Sequence, residues 1–177
     1  VLSLDSSIAV EKYITNHGGK VWRSKVGEAN VIQKMIENDA EAGGEGSSGG
    51  FILKKFNMCR DGLLTSGLIA SMIGDETIQN DIEFFESFSQ IRDKISVESN
   101  LHDRLISEIA ERVGTKYEIN QLDGIKIEIN ENTWSLIRKS NTEDIIRIST
   151  ESNDKQLLEK VQKEMIEIVN DCHEQIK

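Results

Sequence analysis

The sequence predicts an α/β domain, a mixed sheet with flanking helices, followed by a smaller α+β domain in which an antiparallel sheet carries two helices on one face. Three observations carry that prediction. Strand-like and helix-like segments alternate through the first half of the 177 residues, the pattern of an α/β layer structure. The second half holds successive strand-like segments framed by two long amphipathic helices. Between them "GDETIQNDIEFFESFSQ" is polar and irregular in pattern. It reads as a linker region with a short helix, placing a boundary near Ser87 to Gln90 and dividing the chain into residues 1–88 and 89–177.

In order along the chain, "VLSL" is a strand and "DSS" offers a helix cap at Asp5 or Ser6. "IAVEKYITNH" pairs Ala9 with Tyr13 and Val10 with Ile14 on one helix face, and Gly18 and Gly19 stop it. "KVWRSKV" is a second strand, rich in β-branched and aromatic residues. "EANVIQKMIEND" is a helix with Val31, Ile32, Met35 and Ile36 as its apolar stripe. "GGEGSSGG" (Gly43 to Gly50) is a glycine-serine loop before the strand "FILKKF", and "RDGLLTSGLIASMIG" is a helix with Leu64, Leu68 and Met72 in register and Asp61 as its N-cap.

In the second half "IRDKISV" is a strand. "NLHDRLISEIAERVG" is a helix with Leu101, Leu105 and Ile109 spaced by four, an Asn100 cap and a Gly114 stop. "GIKIEI" alternates Ile125, Ile127 and Ile129 with Lys126 and Glu128, the period of a half-buried strand. "NEN" turns into the strand "TWSLIRK", and "DIIRIST" is the next strand. The closing helix carries Leu158, Val161, Met165, Val169 and Cys172. The chain contains no proline, so glycine supplies the punctuation.

Composition narrows the function. Lys and Arg total 21 against 31 Asp and Glu, a formal net charge of -10. Such a surface repels phosphate backbones and anionic lipids, which argues against nucleic-acid and membrane partners. An anionic ligand then needs a local cationic pocket. Cys59 and Cys172 match no metal or redox spacing and read as inert thiols of a reducing compartment. With no membrane-length apolar run and no signal-peptide pattern, a cytoplasmic location is expected. The chain opens straight into a strand without a starting Met, as a piece of a larger protein would.

Three loops could carry chemistry. In "RKSNTED" the Arg138 guanidinium is a forked, always-charged donor set, and Ser140, Asn141 and Thr142 add short donors, a set that suits an oxyanion. The same residues also make an ordinary polar hairpin turn. In "GGEGSSGG" the glycines allow close approach, Glu45 can accept hydrogen bonds from two neighbouring hydroxyls of a sugar, and Ser47 and Ser48 can add contacts. A flexible Gly/Ser linker has the same composition. Lys25, in "SKVGEAN", projects near the end of its strand, where open α/β sheets collect ligands, although an ordinary exposed lysine reads alike.

In their order, "KVGEANV", "GGEGSSGG", "RDG" (Arg60 to Gly62) and "RKSNTED" resemble the motifs of the α-D-phosphohexomutases, the phosphomannomutases and phosphoglucomutases. The resemblance spans essentially the whole chain but only the last two of that family's four domains, the third truncated at its N-terminus. It implies that Glu45, with Ser47 or Ser48, holds the hexose 3- and 4-hydroxyls. It implies that Arg138, Ser140, Asn141 and Thr142 grip the phosphate that is not being transferred. Lys25, with Gly27 and Glu28 beside it, would face the substrate, and Lys25 is the candidate for a catalytic role.

In the intact family enzyme a phosphoserine passes its phosphoryl group to a hexose 1- or 6-phosphate through a bisphosphate, with Mg2+. Neither the phosphoserine loop nor the Asp-rich magnesium loop occurs in this chain, so the missing N-terminal domains are expected partners. The resemblance is not uniform. Lys139 and Asp144 stand where many members have proline and Asn141 where many have glycine. The sugar loop is one residue longer, and Gly50 replaces a histidine that some bacterial members use for proton transfer. A phosphoglucosamine mutase, a non-catalytic sugar-phosphate-binding relative, and a structural pair of domains whose loops bind nothing are the competing readings.

Overall fold

A computed structural model describes residues 1–46, 50–75 and 77–177, which fall into two units, Val1–Ser87 and Phe88–Lys177. In the first, a four-stranded sheet has the order β2-β1-β3-β4, built from β1 (Leu2–Ser3), β2 (Arg23–Ser24), β3 (Ala42–Glu45) and β4 (Gly50–Leu53). β1 runs parallel to β2 and β3, whereas β3 and β4 form an antiparallel hairpin. The "GGEGSSGG" stretch is therefore not a loop throughout: its first residues are strand and Gly50 opens the return strand. The strand β3 lacks β-branched residues because Gly43 lies under α2, where a Cβ would come within 2.5 Å of Met35 Sδ.

Helices α1 (Ile8–Asn16), α2 (Glu28–Glu37), α3 (Gly62–Ser71) and α4 (Thr77–Glu86) complete this unit. Ser7, rather than Asp5 or Ser6, caps α1, its hydroxyl accepting from the Ala9 N–H at 3.1 Å. Val31 and Met35 of α2 pack with Val1, Ala40 and Ile52, while Ile36 leaves the expected stripe and is 66% exposed. Asp61 caps α3 as expected, yet no residue of that helix is buried. Its apolar residues surround the whole circumference, so the Leu64, Leu68 and Met72 register selects no inner face; Leu63 and Ile69 are exposed as well. Most of the segment read as a linker, up to Ser87, belongs to the first unit: in α4 Asp81 accepts from Tyr13 Oη at 2.8 Å, and the Phe85 ring lies 5.2 Å from that of Tyr13.

The second unit has a five-stranded antiparallel sheet of order β5-β9-β8-β7-β6, with β5 (Ser89–Ser96), β6 (Glu118–Asn120), β7 (Ile125–Asn130), β8 (Thr133–Lys139) and β9 (Ile145–Ser152). One face is covered by α5 (His102–Gly114) and α6 (Lys155–Ile176). Leu105, Ile109 and Val113 of α5 and Val161, Met165, Val169 and Cys172 of α6 meet Ile125, Ile127, Ile137, Ile146 and Ile148 of the sheet. Burial of such side chains stabilises by roughly 1.5–3 kcal/mol each, so this face holds the unit together.

Three sequence expectations change here. Asn100 does not cap α5; it lies in a 3-10 turn, Ser99–Leu101, that leads into the helix. Gly114 is the last helical residue rather than a stop outside it. Lys126 is buried instead of solvent-facing, its ammonium 4.6 Å over the Trp134 ring, where a cation–π contact offsets part of its desolvation. Among the described residues no helix is long and apolar enough to cross a membrane.

Candidate functional site

Because β1, β2 and β3 are parallel, their carboxyl ends share one edge of the first sheet, the edge where such sheets place ligands. Lys25 follows β2 there and is exposed, with no ion pair to its ammonium among the described residues. Gly27 is the N-cap of α2 and Glu28 its first residue. Glu45 ends β3, and its side chain is only 2% exposed. Ser47 and Ser48 lie outside the described residues.

Arg60 joins two of these groups. Its Nε donates to Glu28 Oε2 at 2.8 Å and its backbone N–H to Glu28 Oε1 at 3.1 Å, while Nη1 donates to Glu45 Oε2 at 3.1 Å. These bonds hold the Glu28 carboxyl below the usual carboxylate range and raise the Arg60 guanidinium further. The hairpin is tied to β1 as well. Gly46 N–H donates to Ser3 Oγ at 3.0 Å, and that hydroxyl donates to Asp5 Oδ1 at 2.7 Å and shares a hydrogen bond with Ser6 Oγ at 2.8 Å. Asp5 and Ser6 therefore serve the hairpin, which explains why Ser7 takes the cap.

In the second unit Ser140 to Asp144 connect β8 and β9. Ser140 N–H donates to Ile145 O at 3.0 Å and closes the hairpin; Thr142 N–H reaches Ser140 Oγ at 3.4 Å. Ser140 is buried, whereas Asn141 and Thr142 are exposed, and together with Ser99, Glu143 and Asp144 they line a hollow of 380 Å³. Arg138, half-buried, has no ion pair among the described residues.

The register places Arg138 opposite Arg147, and Arg147 opposite Lys94 of β5. Directly opposed residues share a sheet face, and like charges there are destabilising. A cationic row held against that cost suits an anion. Arg147 is paired with Glu143. The proline-replacing residues are both anchored: Lys139 Nζ to Asp103 at 2.5 Å, and the Asp144 carboxylate to the Ser99 hydroxyl. Asp144 O also accepts from Val97 N–H at 3.0 Å.

The sequence does not mark Arg147, and it marks Arg60 only as part of a motif. "RDG" was legible as a motif, but the arginine's role depends on residues 15 and 32 positions away. No cluster of His, Cys, Asp and Glu that could hold a metal occurs among the described residues. The resemblance places the Mg2+ ligands outside this chain.

Comparison with known proteins adds to this geometry. Residues 1–88 match the domain described as "Phosphoglucomutase/phosphomannomutase, alpha/beta/alpha domain III", and residues 95–168 match "Phosphoglucomutase/phosphomannomutase, C-terminal domain". A "Probable phosphoglucosamine mutase" of Methanobrevibacter smithii is 29% identical over 176 residues, covering 97% of this chain and 39% of that protein. A "Phosphoglucosamine mutase" of Methanococcus maripaludis is 32% identical over 174 residues, covering 96% and 38%. The chain thus spans less than half the length of these relatives. A crystal structure of a phosphoglucomutase/phosphomannomutase family protein from Burkholderia thailandensis shares the fold, with a TM-score of 0.76 at 20% identity over 97% of this chain and 37% of that one.

Proposed function

This chain belongs to the phosphoglucomutase/phosphomannomutase family, and we propose that it supplies the sugar-hydroxyl and phosphate recognition of a hexose-phosphate mutase. The observation that carries this reading is Arg138. It is a half-buried guanidinium with no ion pair among the described residues, opposed by a second arginine and followed by a loop of hydroxyl and amide donors. That arrangement fits a phosphate with three outward oxygens better than it fits a simple turn.

Each loop matches a different part of the ligand. Arg138, Ser140, Asn141 and Thr142 hold the phosphate that keeps its place while the other end of the sugar reacts. Glu45, a carboxylate at the edge of the first sheet, accepts from neighbouring 3- and 4-hydroxyls. Positioning is a large share of catalysis in phosphoryl transfer, because the protein has little covalent chemistry to do. The phosphoserine and the Mg2+ ligands would come from the parent's other domains, and this chain's own residues bind and orient.

Glucose, mannose and glucosamine differ at carbon 2, which a carboxylate reading carbons 3 and 4 does not sense. The names of the relatives favour a glucosamine phosphate as the second substrate reading beside glucose and mannose phosphates. Titration of the chain with inorganic phosphate, followed by amide NMR, should shift Ser140 to Thr142 and leave Gly44 to Gly46 in place. Glucose 6-phosphate, mannose 6-phosphate and glucosamine 6-phosphate should shift both sets. Phosphate that moves neither would overturn the reading. Assayed alone with a hexose 1-phosphate and a bisphosphate activator, the chain should show no turnover.

A further inference from the structure

We propose that Arg60 is a positioning residue that fixes the Glu45 carboxylate for hydroxyl recognition, and that Gly50 lacks a side chain in order to admit it. The inference rests on the hexose-phosphate reading above. Glu28 takes two of Arg60's donors, its backbone N–H and Nε, with its two carboxylate oxygens. The guanidinium plane is then set, and Nη1 meets Glu45 Oε2 at 3.1 Å. A carboxylate as buried as Glu45 needs such a partner, since an uncompensated buried charge is strongly destabilising. Lysine lacks the planar fork that fixes Nε on one carboxylate and Nη1 on the other.

Gly50 is the cross-strand partner of Glu45. A Cβ at that position would lie 2.1 Å from Arg60 Cδ, 2.4 Å from Cγ and 2.8 Å from Cβ. The stem of Arg60 therefore occupies the volume that a side chain at position 50 would need. Two carboxylates and one guanidinium leave the cluster with a net charge of about -1. At the Glu45 oxygens that charge favours O–H donors over phosphate.

The test compares glucose 6-phosphate with galactose 6-phosphate, which differ only in the orientation of the 4-hydroxyl, using inorganic phosphate as the control. The 177-residue chain is expected to bind the glucose compound more tightly. Arg60→Lys should lose about tenfold of that preference, with inorganic phosphate affinity unchanged. Gly50→Ala keeps every charge and displaces the Arg60 stem, so it should reproduce the effect even if Arg60→Lys folds poorly. The double variant should lose little more than either single one, because both act through one contact.

A purely structural role would weaken both sugars equally and leave the preference intact. If the parent discriminates and both variants discriminate as well, the role of Arg60 is overturned while the hexose-phosphate reading stands. If the parent binds both epimers equally, the hydroxyl reading falls and the inference with it.

Discussion

In the first unit, Glu45 is already held by a guanidinium whose plane Glu28 has set, and Ser3, Asp5 and Ser6 tie down the hairpin that carries it. In the second unit Arg138 has no ion pair among the described residues, and bracing is confined to its neighbours, Lys139 on Asp103 and Asp144 on Ser99. On the proposed function, the difference matches the ligand group assigned to each loop. Neutral hydroxyls contribute modest hydrogen bonds, so their acceptor must be oriented before they arrive. A phosphate brings its own charge and can complete the pairing of a cation that awaits it.

Gly124 sits with φ at +76° beside the backbone of β8. A Cβ there would come within 2.3 Å of Ile137 O and 2.7 Å of Arg138 Cβ. Left-handed backbone strain and the clash together should make Gly124→Ala destabilise the second unit by about 2 kcal/mol or more. Denaturant unfolding followed through Trp134 should show it, with the first unit unaffected.

Next in size is Arg138→Ala. Charge-assisted hydrogen bonds contribute roughly 1.5–3 kcal/mol each, so phosphate affinity should fall by about tenfold or more, and Arg138→Lys should recover only part of that. Calorimetric titration with inorganic phosphate measures both. Equal affinity in Arg138→Ala would mean that the β8–β9 loop is only a turn.

A smaller effect is expected at the braces. The Lys139–Asp103 pair is solvent-screened, so Asp103→Asn should weaken phosphate binding by no more than roughly twofold, and less at high salt. Hydrogen exchange at Ser140 and Thr142 should quicken at the same time. A tenfold loss would show instead that the loop depends heavily on its neighbours.

The gentlest probe is pH. The ordinary value of the Glu28 carboxyl is 4.5, and Arg60 holds it lower in the folded chain. Its stabilising contribution is therefore present above that ordinary value and lost as pH falls through the lowered folded one. Thermal midpoints measured between about pH 6 and about pH 3.5 should drop less steeply in Glu28→Gln than in the parent.

Where side chains themselves encode an element, the sequence was enough to read it. Leu158, Val161, Met165, Val169 and Cys172 of the closing helix and Ile125 and Ile127 of β7 are all buried, as their spacing predicts. Strand β3 escaped because "AGGE" has lost its strand-forming side chains to the close approach of α2. Helix α3 misled because a helix apolar on all sides carries no directional signal. Glu45 and Arg138 stand out in the sequence as charges placed in a glycine-rich or hydroxyl-rich loop, and both are proposed as site residues. The Arg60 clamp and the Arg138–Arg147 pair were not, since one needs tertiary contacts and the other the strand register.

Cys172 is sealed in the core of the second unit, and burial pushes its thiol up despite the Arg112 guanidinium beside it. Cys59, half-buried, immediately precedes Arg60. Alkylating reagents attack thiolates that they can reach, so a single equivalent of a maleimide fluorophore should modify Cys59 first. The native chain thus offers a site-selective optical reporter one residue from the clamp, with no cysteine to add or remove.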